Sequence, residues 1–307
     1  MKPAATLGVY AGALALVFGA AVGVGNAVGP VGTAADDASH SADSGAQDAH
    51  GSAGADHGGD PAVAVEQGLP ARGLAISQDG YTLQLERTVL PVGRAAEIAF
   101  TVTDQDGDAL TGYTPEHDKD LHLIVVRRDL TGFQHVHPTR DAQGRWAVPL
   151  TLDAPGPYKV YADFTPAGRD TPLTLAADLT APGAYTPAPL PAATGTSSVD
   201  GYDVRLHGAL VAGTSSELTL SVSKDGRPVT DLQPYLAAYG HLVALRDGDL
   251  AYLHVHPDGE VDDPGTEAGP DITFYADVPT AATYRLFLDF QHAGTVRTAS
   301  FTAEAAR

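Results

Sequence analysis

A chain of 307 residues with no cysteine, and with Met1 as its one methionine, can build neither disulfides nor thiolate or thioether metal sites. Its 38 acidic residues against 18 Lys and Arg leave a formal charge of −20, which argues against a nucleic-acid partner, because such binding draws on clustered cations. The length leaves room for two domains of about 100–150 residues and additional segments.

Residues 1–30 begin with Met1-Lys2 and run apolar from about Leu7 to Val28, interrupted only by small residues, Tyr10 and Asn26. About 20 such residues suffice to cross a bilayer. No Lys or Arg follows Lys2 until Arg72, an asymmetry that keeps the amino terminus inside and sends the rest outward. The expectation is a single-pass transmembrane helix that holds the protein at the cell membrane with its bulk outside the cytoplasm. A cleaved signal peptide, with Gly25 and Ala27 as small residues near the cut, is the alternative and would make the protein secreted. Residues 31–68 are rich in Ala, Gly, Asp and Ser, carry His40, His50 and His57, and contain no basic residue. Such a composition buries no core and reads as a disordered tether.

From residue 69 to 182 short alternating segments follow one another: YTLQLE from Tyr81, AEIAFTV from Ala96, LHLIVV from Leu121, WAVPLTL from Trp146, YKVYADF from Tyr158 and LTLAADL from Leu173. Turns rich in Gly, Pro and Asp separate them. About seven short strands in about 110 residues is the pattern of an immunoglobulin-like β-sandwich. Within this stretch Asp104 to Asp108 suggests a calcium loop, but the glycine falls at the fourth place and no acid occupies the twelfth, so a turn is expected. Residues 183–197 form a Pro-rich linker, short enough to keep its neighbours close. Residues 198–307 repeat the strand order as a second β-sandwich. The fold class is therefore all-β, with two tandem sandwiches behind the amino-terminal segment.

The repeat is most explicit in LHLIVVRRDLTGFQHVHP, Leu121 to Pro138, and GHLVALRDGDLAYLHVHP, Gly240 to Pro257, which align at a constant offset of 119 residues. Each reads as a β-hairpin. Period-two alternation puts His135 and His137 on one face, as it does His254 and His256. A tight turn then brings His122 or His241 across from them, within reach of a shared divalent metal. An aspartate in a later apolar strand, Asp163 or Asp289, supplies a carboxylate whose burial calls for a partner. The candidate metal ligands are thus His122, His135, His137 and Asp163 in one domain, and His241, His254, His256 and Asp289 in the other. The same residues also fit a structural cluster, in which each imidazole meets a protein acceptor and the aspartate orients a histidine. The two sets need not be equivalent: His117 in the first domain corresponds to Leu236 in the second, and His292 to Pro166.

On EHDKDLHLIVV from Glu116, FQHVHP from Phe133 and YKVYADFTPAG from Tyr158, the chain resembles bacterial cell-envelope β-sandwich proteins described as heavy-metal-binding or copper-handling, and is distantly similar to copper-resistance periplasmic carriers. The resemblance implies a secreted or anchored sandwich and a bound divalent metal, Cu(II) first and Zn(II) second, with an envelope metal-transport partner. The chain departs from those carriers in having no methionine ligands and no free amino-terminal histidine.

The expected function is an extracytoplasmic, membrane-anchored metal carrier, buffer or sensor, whose binding weakens as imidazoles protonate near about pH 6–6.5. The alternative is a cell-surface structural or interaction module with the His-Asp clusters as scaffold. No catalytic residues are expected: the chain has no cysteine nucleophile, no Gly-x-Ser-x-Gly, no phosphate-cradling loop and no His-Glu-x-x-His.

Overall fold

The computed structural model of the chain describes residues 71–259, 261, 263 and 265–307. The anchor or signal segment 1–30 and the tether 31–68 lie outside the described residues. Among the described residues there is no α-helix, and so no helix long and apolar enough to cross a membrane. The described part is all-β.

The first module contains β1 (Ser77–Gln78), β2 (Tyr81–Leu85), β3 (Ala95–Thr103), β4 (Tyr113–Thr114), β5 (His122–Arg127), β6 (Gln134–Val136), β7 (Thr139–Arg140), β8 (Arg145–Thr151), β9 (Gly156–Pro166) and β10 (Leu173–Ala181). One sheet runs β1-β2-β3-β8-β7 and the other β10-β9-β5-β6, with β4 added to β9. The second module contains β11 (Thr196–Val199), β12 (Tyr202–Gly208), β13 (Thr214–Lys224), β14 (Arg227–Pro228), β15 (Gly240–Arg246), β16 (Tyr252–Leu253), β17 (Val255–Pro257), β18 (Asp271–Val278), β19 (Thr283–His292) and β20 (Thr295–Glu304). Its sheets run β11-β12-β13-β18-β17, with β14 beside β13, and β16-β15-β19-β20.

Both connectivities are those of an immunoglobulin sandwich, strands A, B, E and D on one sheet and G, F and C with a short extra strand on the other. Each pair of sheets encloses its own core. Leu83, Phe100 and Trp146 of one sheet meet Leu123, Val160 and Leu175 of the other in the first module. Val204, Leu220 and Phe274 meet Ala244, Leu286 and Phe301 in the second. With no cysteine to bridge the sheets, tyrosines tie the corners: Tyr158 donates its hydroxyl to the Ala154 carbonyl at 2.8 Å, and Tyr284 to the Thr280 carbonyl at 2.8 Å. The Asp104 segment is a turn, with Asp104 Oδ1 accepting from the backbone N–H of Asp106 and Asp108.

In β5 the side chains alternate between two buried environments. Leu123 and Val125 enter the module core, while Ile124 and Val126 enter a third cluster with Tyr161, Val243, Leu245, Tyr252 and Phe287. That cluster draws on both modules, so the apolar run in LHLIVV is continuous because both of its faces are covered. Equivalent residues exchange contacts across it. The rings of Phe133 and Phe287 stack at 4.0 Å, and those of Tyr252 and Tyr161 lie at 5.7 Å. Phe133 corresponds to Tyr252 and Phe287 to Tyr161 in the repeat, so the two contacts are related by an internal pseudo-two-fold. The Pro-rich linker lies along the same region: Leu190 packs on the shared cluster, Ala188 N–H donates to Asp129 at 2.8 Å, and the Tyr185 ring lies under Arg127.

Candidate functional site

The register of the first hairpin pairs Leu123 with Val136 and Ile124 with His135. His122, Ile124 and His135 therefore project from the same face, the face turned toward the second module. Just past the end of β6, His137 comes to the His122 ring, with centroids 4.9 Å apart. His122 Nδ1 lies 3.1 Å from His135 Nε2 and 3.1 Å from His137 Nε2. One ring nitrogen from each of the three lies within 4.8 Å of the others.

Hydrogen bonds on the far side of two rings fix which nitrogens carry protons. His122 Nε2 donates to the Glu116 carbonyl at 3.1 Å. His135 Nδ1 donates to the Asp289 carboxylate at 2.9 Å, the two side chains each 5% exposed. In the neutral tautomers that result, His122 Nδ1 and His135 Nε2 both present lone pairs, and they face one another at 3.1 Å. A proton or a metal cation relieves such a contact. Protonation is opposed at His122, whose pKa burial and the neighbouring His135 push down to about 3, and at His137, likewise held near 3 by burial. The sequence expectation of proton competition near pH 6–6.5 presupposes solvated rings, and burial moves these two well below that range.

Asp289 belongs to the second module, and this departs from the expectation of one closed His-Asp set in each domain. By register Asp289 is the cross-strand neighbour of His241, and Asp163 that of His122. Both aspartates nonetheless project toward the opposite module, since they share the outward parity of Phe287 and Tyr161. Asp289 Oδ2 reaches His135, and its Oδ1 accepts from Thr298. Asp163 accepts from Thr174 at 2.8 Å and from Tyr252 at 3.4 Å, and burial raises its pKa to about 6.

The second set does not assemble. His241 repeats the orientation of His122, donating Nε2–H to the Tyr235 carbonyl at 2.8 Å, and burial holds its pKa near 3. Its ring lies 5.9 Å from His135 and 6.2 Å from His122, so it borders the first module's cluster. His254 instead meets Arg72, with Nδ1 3.3 Å from the guanidinium, and burial followed by that cation pushes its pKa down to about 4. His256 is exposed and stacks on Tyr275 at 5.6 Å. Arg72 stands beside His254 and close enough to Asp163 for its charge to act on that carboxyl. Its backbone carbonyl accepts from Tyr252 N–H at 2.9 Å and the next residue, Gly73, donates to Thr174 at 3.1 Å, so the strap crosses both modules.

Sequence reasoning left His117 out of the site. Its ring lies 5.1 Å from His241 and 6.3 Å from His122. It is placed by a tight turn closed between Glu116 and Lys119, in which His117 and Asp118 have φ of 47° and 61°. Leu236 and Ala237 repeat the turn in the second module with φ of 53° and 56°. These turns aim the Glu116 and Tyr235 carbonyls at the histidines, and no glycine marks either one. His292 is remote from the cluster, bonded to Tyr202 and Asp231. A cavity of about 60 Å³ lies beside the cluster, lined by His117, His122, His135, Asp163, His241 and His254 among others.

Fold and site together define a tandem β-sandwich of immunoglobulin topology with a buried histidine cluster between its modules. Residues 76–181 and 197–307 match the family described as a domain of unknown function (DUF8832), and the chain belongs to that family. No curated protein matches the chain. Among solved structures, it is similar to an Escherichia coli adhesin, FdeC, at 14% identity and a TM-score of 0.25, covering 76% of this chain and 66% of that one. It is similar to Salmonella alpha-2-macroglobulin at 13% and 0.26, covering 76% and 16%. A third is the Yersinia pseudotuberculosis adhesin InvE, at 13% and 0.23, covering 75% and 60%. The chain thus spans less than two thirds of the length of each, and likenesses on this scale carry no argument about activity or partners.

Proposed function

We propose that this chain is a divalent-metal-binding protein whose site is formed by His122, His135 and His137. The observation that carries the reading is the meeting of His122 Nδ1 and His135 Nε2 at 3.1 Å, with the other nitrogen of each ring already donating to Glu116 and Asp289. Three imidazoles suit Cu(II) or Zn(II), and burial keeps His122 and His137 neutral at pH 7, so neither ring has a proton to displace before it binds. The adjoining cavity has room for an ion's remaining water ligands and little more, which fits binding rather than turnover. Together with the apolar segment before the modules, this supports a carrier, buffer or sensor outside the cytoplasm, held at the membrane or secreted, that passes metal to an envelope partner.

The test is to load the protein with Cu(II) and record nitrogen hyperfine coupling by electron paramagnetic resonance. The reading predicts coupling to imidazole nitrogens that is lost in His122→Ala. A spectrum unchanged by that substitution would place the ion elsewhere.

The second reading is a cell-surface interaction module with the cluster as scaffold. It is favoured by one feature, the near-complete burial of His122, His135 and Asp289 beside the interface core. On that reading His137 Nε2–H donates to His122 Nδ1, and no metal binds the cluster.

A further inference from the structure

The duplication in this chain is more than a doubling of one domain, because the cluster in the first module depends on a carboxylate from the second. The His135 ring has two nitrogens with distinct duties. Nε2 faces His122, and Nδ1 faces Asp289 across the module boundary at 2.9 Å, with both side chains all but removed from water. A carboxylate behind a ligating imidazole fixes the tautomer, holds the ring's rotation and makes the free nitrogen more basic. The first module's own aspartate, Asp163, takes its bonds from Thr174 and Tyr252 instead. Asp289 is itself held by Thr298 on the adjacent strand, and the stacked Phe133 and Phe287 fix the two strands that bring donor and acceptor together. Phe133 lies two residues before His135 and Phe287 two before Asp289, each on the same face as the group it positions.

We infer that Asp289 is a positioning residue for a composite metal site, so that the docked second module sets the metal affinity of the first module's histidines. This rests on the metal-binding reading above and adds to it a role for the second module. By linkage, an ion on the histidines strengthens module docking by the same factor that docking strengthens metal binding.

The experiment is a competition titration of the full chain with Zn(II), in parallel for wild type, His122→Ala, Asp289→Asn and, as a control that removes a carboxylate from a histidine remote from the cluster, Asp231→Asn. The ¹⁵N shifts of His135 are recorded in the metal-free protein alongside. The expected result is one Zn(II) lost in His122→Ala, and an affinity reduced about 10- to 100-fold in Asp289→Asn at unchanged stoichiometry. Asp231→Asn should bind like the wild type. His135 should be protonated at Nδ1 in the wild type and a mixture of tautomers in Asp289→Asn, a change that loss of packing alone does not produce.

Wild-type affinity in Asp289→Asn, with His122→Ala inactive, overturns the inference and leaves the metal site standing. No Zn(II) on the cluster in the wild type overturns both. If Asp289→Asn fails to fold, Thr298→Val serves in its place, with a smaller loss of affinity expected, and an Nε2-protonated His135 in the wild type overturns the inference by itself.

Discussion

At His122 the backbone decides what the ring can do. The Glu116 carbonyl consumes Nε2–H, so the nitrogen turned toward His135 and His137 is a lone pair. His241 is held in the same way by Tyr235. The neutral state of these rings has a consequence for metal-free stability. His122, His137 and His241 have pKa values near 3 in the fold, against about 6.5 in an unfolded chain. Between those limits the unfolded chain binds three protons that the fold refuses, so stability falls as pH drops below about 6.5. Asp163 acts in the opposite sense. Raised to about 6, it keeps one proton in the fold that an unfolded aspartate gives up above about 3.9. With His254 also held near 4, four groups outweigh one, and the denaturant midpoint of the metal-free protein is expected to be lower at pH 5.0 than at pH 7.5. An equal or higher midpoint at pH 5.0 would show that the rings are protonated or solvated in the fold. The corner tyrosines test a simpler residue-scale claim. Tyr158→Phe and Tyr284→Phe should each destabilise by about 1 kcal/mol in chemical denaturation, the net worth of one such hydrogen bond.

At the scale of elements, the hairpin of β5 and β6 carries the site and the strap at Arg72-Gly73 marks its asymmetry. Gly73 has φ of 65°, and a Cβ there would lie 2.8 Å from the Tyr161 ring and 2.9 Å from the Tyr252 side chain. Both the conformation and the space exclude a side chain, so Gly73→Ala should lower stability by more than about 1 kcal/mol, read from the thermal midpoint. A silent substitution would mean that the strap is not seated between the modules. The β-sandwich character, the hairpin and the convergence of His122, His135 and His137 were all legible in the sequence, because period-two alternation and a constant offset of 119 residues are local signals. The destination of the aspartates was not. The sequence shows that Asp163 and Asp289 sit in apolar strands, but which module they face depends on how one sheet docks on another. Docking leaves its trace in doubly buried strands such as β5 and β15, whose unbroken apolar runs serve two different cores. Nor does the sequence disclose that Arg72, from before the first strand, meets His254, or that His117 and Asp118 take left-handed conformations without a glycine.

At the largest scale, the third core joins the two modules, and they are expected to unfold together. Stacked aromatic pairs add about 0.5–1.5 kcal/mol beyond the area they bury, and Phe287 is buried in the shared cluster with the half-buried Phe133 stacked on it. Phe287→Ala should destabilise by about 3–5 kcal/mol and split a single unfolding transition into two in calorimetry. Persistence of one transition would show that the modules hold together without this pair. The most direct test of the central claim is calorimetric titration of the metal-free chain with Zn(II) and Cu(II), set against His122→Ala and His256→Ala after each variant is shown to be folded. A saturable site is expected that disappears in His122→Ala and persists in His256→Ala, because of the two only His122 belongs to the convergent cluster. Identical binding isotherms in wild type and His122→Ala would contradict it and return the histidines to a scaffold role.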